Sequence, residues 1–245
     1  MENSQSNDKP SAPLYLIPSR IAETEPLEVL PLSIKKVVGS IDHYIVENEK
    51  TSREFIKKVN PSKSQPSLHF EIYNQYTEAS EIPKLLAPCL DGQPVGLISD
   101  AGIPAVADPG ADLILAAHQA QIRVIPLIGP SSLILALMAS GLNGNQFTFH
   151  GFLSAEKTQR RKKLASLDKK AQKGETQIFI ESPLRNMKVY EEILATCDSE
   201  TLLCIASNIT SPYEAIRTQS IKEWSKTEID LDKVPSIFLL GSSHG

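Results

Sequence analysis

The chain alternates short β-prone runs with longer stretches that have helical spacing of apolar residues. Three of the runs, Leu14–Ile17, Ile41–Val46 and Val95–Ser99, have the length and composition of buried strands. Ser52–Val59 and Glu81–Leu90 lie between them and read as helices. Further strands are predicted at Leu68–Tyr73, Arg123–Leu127, Phe147–Phe152, Thr176–Ile180, Leu202–Ala206 and Ile237–Leu240. Strands that alternate with helices predict an α/β fold with parallel pairing.

The stretch from Val95 to Leu142 repeats the order strand, sharp loop, helix. Its first loop, Asp100–Pro104, is followed by Asp108, a predicted N-cap, and by Pro109 at the first position of a helix. The second loop, Gly129–Ser132, leads into an apolar helix. Ligands of open parallel sheets bind beyond the carboxyl ends of the strands, so both loops are predicted to form a small-molecule pocket. The same residues also suit a tight turn with no ligand.

Composition and charge limit the classes of protein that fit. The 245 residues suffice for one large or two small domains, and 41% hydrophobic with 22% charged residues is ordinary for a globular protein. The net charge of −4 argues against nucleic-acid binding by the whole surface, although local basic patches remain open. The three cysteines form no C-x-x-C pair, and no His/Cys cluster has metal-ligand spacing, so no metal site is predicted.

The first residues of the chain and its longest apolar stretch indicate where in the cell the protein is expected. Residues 1–13 are polar and lack an apolar core, so we expect a flexible tail rather than a signal peptide. The apolar stretch 127–142 is interrupted by Gly129-Pro130, and no membrane span is expected. We therefore predict a cytoplasmic protein with an N-terminal domain at 14–128 and a C-terminal domain at 129–245.

A strongly basic run covers residues 157–173 and reads as a helix with Leu164 and Leu167 inward. One interpretation is a solvated helical face. The other is a surface that contacts phosphates of a nucleic acid, because neutralisation of the backbone dominates such binding. The residues that we predict to bind such a substrate here are Arg160, Arg161, Lys162 and Lys163.

Three linked motifs carry a family resemblance: SDAGIP at 99–104, ADPG at 107–110 and GPSS at 129–132, followed by a helix that ends in SGL. Together they resemble the tetrapyrrole methylase superfamily of S-adenosylmethionine-dependent methyltransferases. The order and spacing are most similar to the branch that methylates a cytidine ribose 2′-oxygen in small-subunit ribosomal RNA. Three motifs over about fifty residues are far more specific than one glycine pattern.

The resemblance implies two α/β domains of the tetrapyrrole methylase type, with S-adenosylmethionine in the cleft between them. It also implies a homodimer and a ribosomal RNA partner. The predicted cofactor-binding residues are Pro18, Ser99, Asp100, Ala101, Gly102, Ile103, Ser131, Ser132, Ala206 and Ser207.

Methylation of a ribose hydroxyl needs a group that draws off its proton. Glu47 is the first choice for this catalytic base, because it ends a strand on the pocket side and matches an acid of the family. Lys50 keeps a positive charge of the same element and is predicted to contact the substrate. The other carboxylates considered are Glu49, Asp100, Glu181 and Glu214.

Departures from the family pattern leave two alternatives open. They fall in loops, at Ala22-Glu23, Asn48-Glu49, Tyr73–Glu78 and Asn208–Ser211. One alternative is a methylase of a small molecule, tetrapyrrole-like or other. The second is a cofactor-binding module whose catalytic loops have decayed.

Overall fold

The computed structural model describes residues 11–243, which divide into two compact units between Pro130 and Ser131. Most of the predicted tail, residues 1–10, lies outside the described residues. The last three tail residues directly precede the first strand, and the Ala12 N–H donates to the Cys89 carbonyl at 2.8 Å. Within residues 11–243, no helix is long and apolar enough to cross a membrane.

The first unit is a parallel sheet with helices on both faces. Its strands are β1 (Leu14–Ile17), β2 (His43–Val46), β3 (His69–Ile72), β4 (Val95–Ile98) and β5 (Val124–Pro126). Its helices are α1 (Pro26–Val29), α2 (Leu32–Ser40), α3 (Glu49–Val59), α4 (Ile82–Leu90) and α5 (Ala111–Gln119). The strand order is β3-β2-β4-β1-β5, and all of these pairs are parallel.

The strand β4 lies at the centre of this sheet and is buried along its whole length. Its side chains alternate between two apolar clusters: Leu97 packs with Ile45 and Leu113 on one face, and Ile98 packs with Ile34 on the other. Burial on both faces is the reason that this strand reads as a continuous apolar run in the sequence.

Two helix starts in the first unit differ from the sequence-based expectation, whereas the break between α1 and α2 falls at Pro31, which cannot donate a backbone hydrogen bond. The helix α3 begins at Glu49 rather than Ser52, because the Asn48 side chain accepts from two backbone N–H groups of the first turn. The prediction that Asp108 caps α5 is wrong: the residue before this helix is Gly110, with φ of 143°.

The second unit has a mixed sheet covered by helices. Its strands are β6 (Phe147–Phe152), β7 (Thr176–Ile180), β8 (Leu202–Ser207), β9 (Ala215–Ser220) and β10 (Ser236–Gly241). Its helices are α6 (Ser132–Ser140), α7 (Lys157–Ala171), α8 (Asn186–Thr196) and α9 (Ile221–Trp224). The order is β6-β7-β10-β8-β9, in which β6 and β7 are parallel and the other pairs are antiparallel.

The strand β9 was not expected from the sequence. It runs Ala-Ile-Arg-Thr-Gln-Ser and pairs with β8 along its whole length. Because β9 is an edge strand whose residues are at most partly buried, it lacks the apolar run that marks the central strands.

Candidate active site

The candidate site lies at the carboxyl edge of the parallel sheet in the first unit. The residues that follow β1, β2 and β4 there are Pro18, Glu47 and Ser99, respectively. Parallel strands end at the same edge, so these three residues, which are far apart in sequence, are brought to one side of the sheet. The loop that starts at Ser99 was expected here from the rule for parallel sheets, whereas Pro18 and Glu47 were expected at the pocket with the help of the family resemblance.

The loops after β1 and β4 are joined by main-chain contacts. The Ser19 N–H donates to the Gly102 carbonyl at 2.8 Å, and the Ser99 hydroxyl donates to the Ala101 carbonyl at 3.0 Å. Gly102 has φ of 76°, a conformation that favours glycine. The predicted cofactor residues Pro18 and 99–103 therefore form one ordered pair of loops.

A third loop packs against them through a glycine. A Cβ atom built on Gly129 would lie 2.2 Å from the Cγ atom of Pro18, which is closer than side chains approach each other. Only a residue without a side chain fits at this position, so the close approach explains the glycine of the GPSS motif.

A cavity of about 150 Å³ opens between these loops and α3. Its lining includes Ser19, Asp100 and two residues that the sequence-based prediction missed, Thr51 and Ser52. The Thr51 hydroxyl donates to Asp100 Oδ1 at 3.1 Å, whereas the Ser52 hydroxyl oxygen is buried and has no hydrogen-bond partner within the described residues. A buried hydroxyl without a partner is costly and indicates a place where a polar ligand group fits.

Glu47 lies beside a second carboxyl group, that of Asp108. Burial, the largest cause, raises the pKa of Glu47 to about 7. The side-chain hydrogen bond with Asp108 and the charges of Asp108 and Asp100 raise it further, whereas a hydrogen bond with the Asp100 backbone lowers it. Burial also raises the pKa of Asp108, and contact with the Ser99 hydroxyl opposes that rise. Two carboxyl groups hydrogen-bond to each other only when a proton lies between them. Glu47 therefore keeps a proton below about pH 7, and this proton can bridge to Asp108.

A second cavity, of about 260 Å³, lies next to Asp108. The start of α5 forms one side, and the loop after β3 forms the other with Tyr73, Asn74 and Thr77. Glu47 does not line this cavity. The loop Tyr73–Glu78, one of the departures from the family pattern, thus forms a wall of a cavity whose other side carries a carboxylate.

The remaining predicted cofactor residues belong to the second unit. Ser131 is the N-cap residue of α6, although its side chain makes no capping hydrogen bond, and Ser132 is the first residue of the helix. Ala206 and Ser207 end β8 and are buried, and the Ser207 hydroxyl lies 2.8 Å from that of Ser236.

Arg160 does not belong to the predicted substrate-binding surface. Its side chain is 1% exposed and makes a bidentate ion pair with Glu192 of α8, with N–O distances of 2.7 and 2.8 Å. Its remaining terminal nitrogen donates to the Ser154 and Ala155 carbonyls. Because every terminal nitrogen is engaged inside the unit, we correct this prediction and assign Arg160 to the core.

The other predicted substrate residues are exposed. Arg161, Lys162 and Lys163 lie on the solvent side of α7, and Leu164 and Leu167 face the core as predicted. Lys50 is exposed in the first turn of α3.

The alternative carboxylates are engaged elsewhere. Glu49 pairs with Arg53 at 2.7 Å, and Glu181 is buried in an ion pair with Arg185. Glu214 is exposed and accepts from the Thr210 N–H at 2.7 Å. Of the acids considered, Glu47, Glu49 and Asp100 follow strands of the parallel sheet at its carboxyl edge, and Glu49 is engaged by Arg53.

Solved structures that share this fold are methyltransferases. The structure titled the methyltransferase CobJ superimposes with a TM-score of 0.62 at 15% identity, over 95% of both chains. Cobalt precorrin-4 methyltransferase superimposes with a TM-score of 0.60 at 16% identity, over 93% of this chain and 94% of that one. The predicted α/β class of the tetrapyrrole methylase type is thereby confirmed.

Sequence comparison identifies the family. The model of the tetrapyrrole (corrin/porphyrin) methylases matches residues 32–224. The chain belongs to this family and is a methyltransferase.

Its curated relatives include two proteins named ribosomal RNA small subunit methyltransferase I. The Vibrio cholerae protein is 31% identical over 86% of this chain and 69% of its own length. The Escherichia coli O157:H7 protein is 29% identical over 93% of this chain and 77% of its own length.

Proposed function

We propose that this chain transfers a methyl group from S-adenosylmethionine to a ribose 2′-oxygen in ribosomal RNA of the small subunit. The observation that carries the proposal is about 30% identity, over most of the chain, to relatives named for methylation of that RNA. The carboxyl-edge site supports it, because a carboxyl pair lies beside a cavity there.

The loops at the carboxyl edge fit S-adenosylmethionine. This cofactor supplies a methyl group activated by a positively charged sulfur. It also presents hydroxyl, amino and carboxylate groups, which suit the Asp100 carboxylate, the unpartnered Ser52 hydroxyl and the main chain of 99–103. In the second unit, Ser131, Ser132, Ala206 and Ser207 are proposed as further binding residues.

The chain's own task in methyl transfer is to align the acceptor and accept its proton. A ribose hydroxyl is a weak nucleophile until a base approaches it, and general bases typically contribute about 10²–10⁴-fold in rate. The sequence-based choice, Glu47, and its partner Asp108 supply the carboxyl pair for this role.

The exposed part of the basic helix supports an RNA partner. With Arg160 excluded, Arg161, Lys162 and Lys163 of α7 are proposed to contact phosphates, and Lys50 is proposed to contact the substrate near the site. A homodimer and a cytoplasmic location are further proposals that follow from the family resemblance.

The test is transfer of labelled methyl from S-adenosylmethionine to small ribosomal subunits that lack the modification. Wild type is compared with Asp100→Ala, which removes the carboxylate that accepts from Thr51. We expect label in the RNA with wild type and loss of both transfer and calorimetric cofactor binding with the variant.

Leu90→Ala serves as a control, since Leu90 is an exposed residue at the end of α4. Cofactor binding by wild type without transfer to any RNA would contradict the proposal. Small-molecule acceptors would then be tested, and transfer to none of them would favour a binding module with decayed catalytic loops.

A further inference from the structure

Glu47 and Asp108, the carboxyl pair, differ in their contact with the 260 Å³ cavity. Asp108 lines the 260 Å³ cavity, whereas Glu47 does not. Glu47 Oε1 is buried and receives no hydrogen bond from a donor within the described residues. A buried carboxylate oxygen without a donor is costly, and a proton held between Glu47 and Asp108 removes that cost.

The surroundings of the two groups determine which one keeps the proton. Burial and the charges of Asp108 and Asp100 raise the pKa of Glu47 to about 7, so a proton is favoured on Glu47. Burial raises the pKa of Asp108 too, but its side-chain contacts with Ser99 and Glu47 favour the ionised form. Of the two groups, Asp108 is the one that lines the cavity, where an acceptor hydroxyl can reach it.

We propose that Asp108 is the catalytic carboxylate that receives the proton of the acceptor hydroxyl, and that Glu47 is a positioning residue that holds the shared proton. The inference rests on the proposed function and assigns the acceptor nucleoside to the cavity between Asp108 and the loop 73–77. This changes the sequence-based assignment of the base from Glu47 to its partner.

Methyl transfer to the acceptor changes two bonds and moves one proton. The acceptor oxygen forms a bond to the methyl carbon, the bond between carbon and sulfur breaks, and its electron pair stays on the sulfur. The hydroxyl proton passes to Asp108. The pair thereby changes from one proton and a charge of −1 to two protons and no charge, and it returns one proton to solvent.

The first experiment compares Asp108→Asn with Glu47→Gln in single-turnover transfer to undermethylated small subunits. We expect the first variant to lose about 100-fold or more in rate, since an amide cannot take the proton and the other carboxylate that lines the cavity, Asp112, is not part of the pair. We expect the second to lose less than about tenfold, because its amide still donates to Asp108. Cofactor affinity by calorimetry should change in neither variant. Glu71→Gln, an exposed carboxylate of β3 outside the cavity, is the matched control.

A second readout needs neither cofactor nor RNA. Infrared difference spectra of the ligand-free protein between about pH 5 and pH 9 should show one carboxyl group that loses its proton near pH 7. Glu47→Gln should remove that signal. The wild-type transfer rate should not rise with pH through 7, because the proposal has Asp108 ionised while Glu47 still holds its proton, and loss of that proton removes the donor that positions Asp108.

The opposite results would overturn the inference. A loss in Glu47→Gln equal to or larger than that in Asp108→Asn, or a wild-type rate that rises with pH through 7, would make Glu47 the base. If Asp108→Asn fails to fold, the transfer rate of Glu47→Gln and the pH profile of wild type still show whether Asp108 or Glu47 is the base. If wild type transfers no methyl group to RNA, both the proposed function and this inference fail. If wild type is active but Glu47→Gln loses more rate than Asp108→Asn, only the inference fails.

Discussion

The buried ion pair between Arg160 and Glu192 gives a quantitative prediction for Glu192→Gln. Both side chains are almost fully buried, at 1% and 5% exposure, and the pair is bidentate. The substitution leaves a buried guanidinium without its counter-charge, a change that typically costs about 3–5 kcal/mol. For a chain of this size each kcal/mol lowers Tm by about 2–4 °C, so we expect a decrease of about 6–20 °C.

The single tryptophan makes the assay specific for the second unit. Trp224 is 1% exposed in the core of that unit, and its indole N–H donates to the Leu203 carbonyl at 2.8 Å. Its fluorescence follows unfolding there at pH 7. The hydrogen bonds from Arg160 hold the pKa of Glu192 below its ordinary value, so the stabilisation is present above that value and is lost as pH falls through the lowered one.

Two further variants test the physical reason. Glu191→Gln, an exposed neighbour on α8, should change stability by no more than about 0.5 kcal/mol. The double change Arg160→Met with Glu192→Leu should be more stable than Glu192→Gln alone, because no unpaired charge remains in the core. A loss below about 1 kcal/mol in Glu192→Gln would refute the reasoning, since the guanidinium would then reach water.

Two other predictions concern the loops and the basic helix. Gly129→Ala should weaken cofactor binding in calorimetry by about tenfold or more, because its Cβ would overlap Pro18; unchanged affinity would mean that the two loops separate at little cost. In the double variant Lys162→Ala with Lys163→Ala, the plot of log binding constant for RNA against log salt concentration should become less steep by about 1.4, or about 0.7 per lost phosphate contact. The control Lys222→Ala, at another exposed lysine, should leave the slope unchanged. An unchanged slope in the double variant would make this face a solvated surface.

The sequence determined much of the local structure. The strands β6 and β7 begin and end at the predicted residues, because apolar periodicity and turn residues act over a few positions. The motif residues 99–103 also formed one ordered loop, as the order of strand, loop and helix predicted.

The tertiary structure decided the chemistry of charged groups. Arg160 reads as one basic residue among many, yet its burial depends on Glu192, which lies 32 positions further along the chain. Asp108 reads as a helix cap, but the chain places it against Glu47, at the end of another strand. Such roles depend on which side chains meet after folding, because the pKa and the exposure of a charge are properties of its surroundings rather than of its neighbours in sequence.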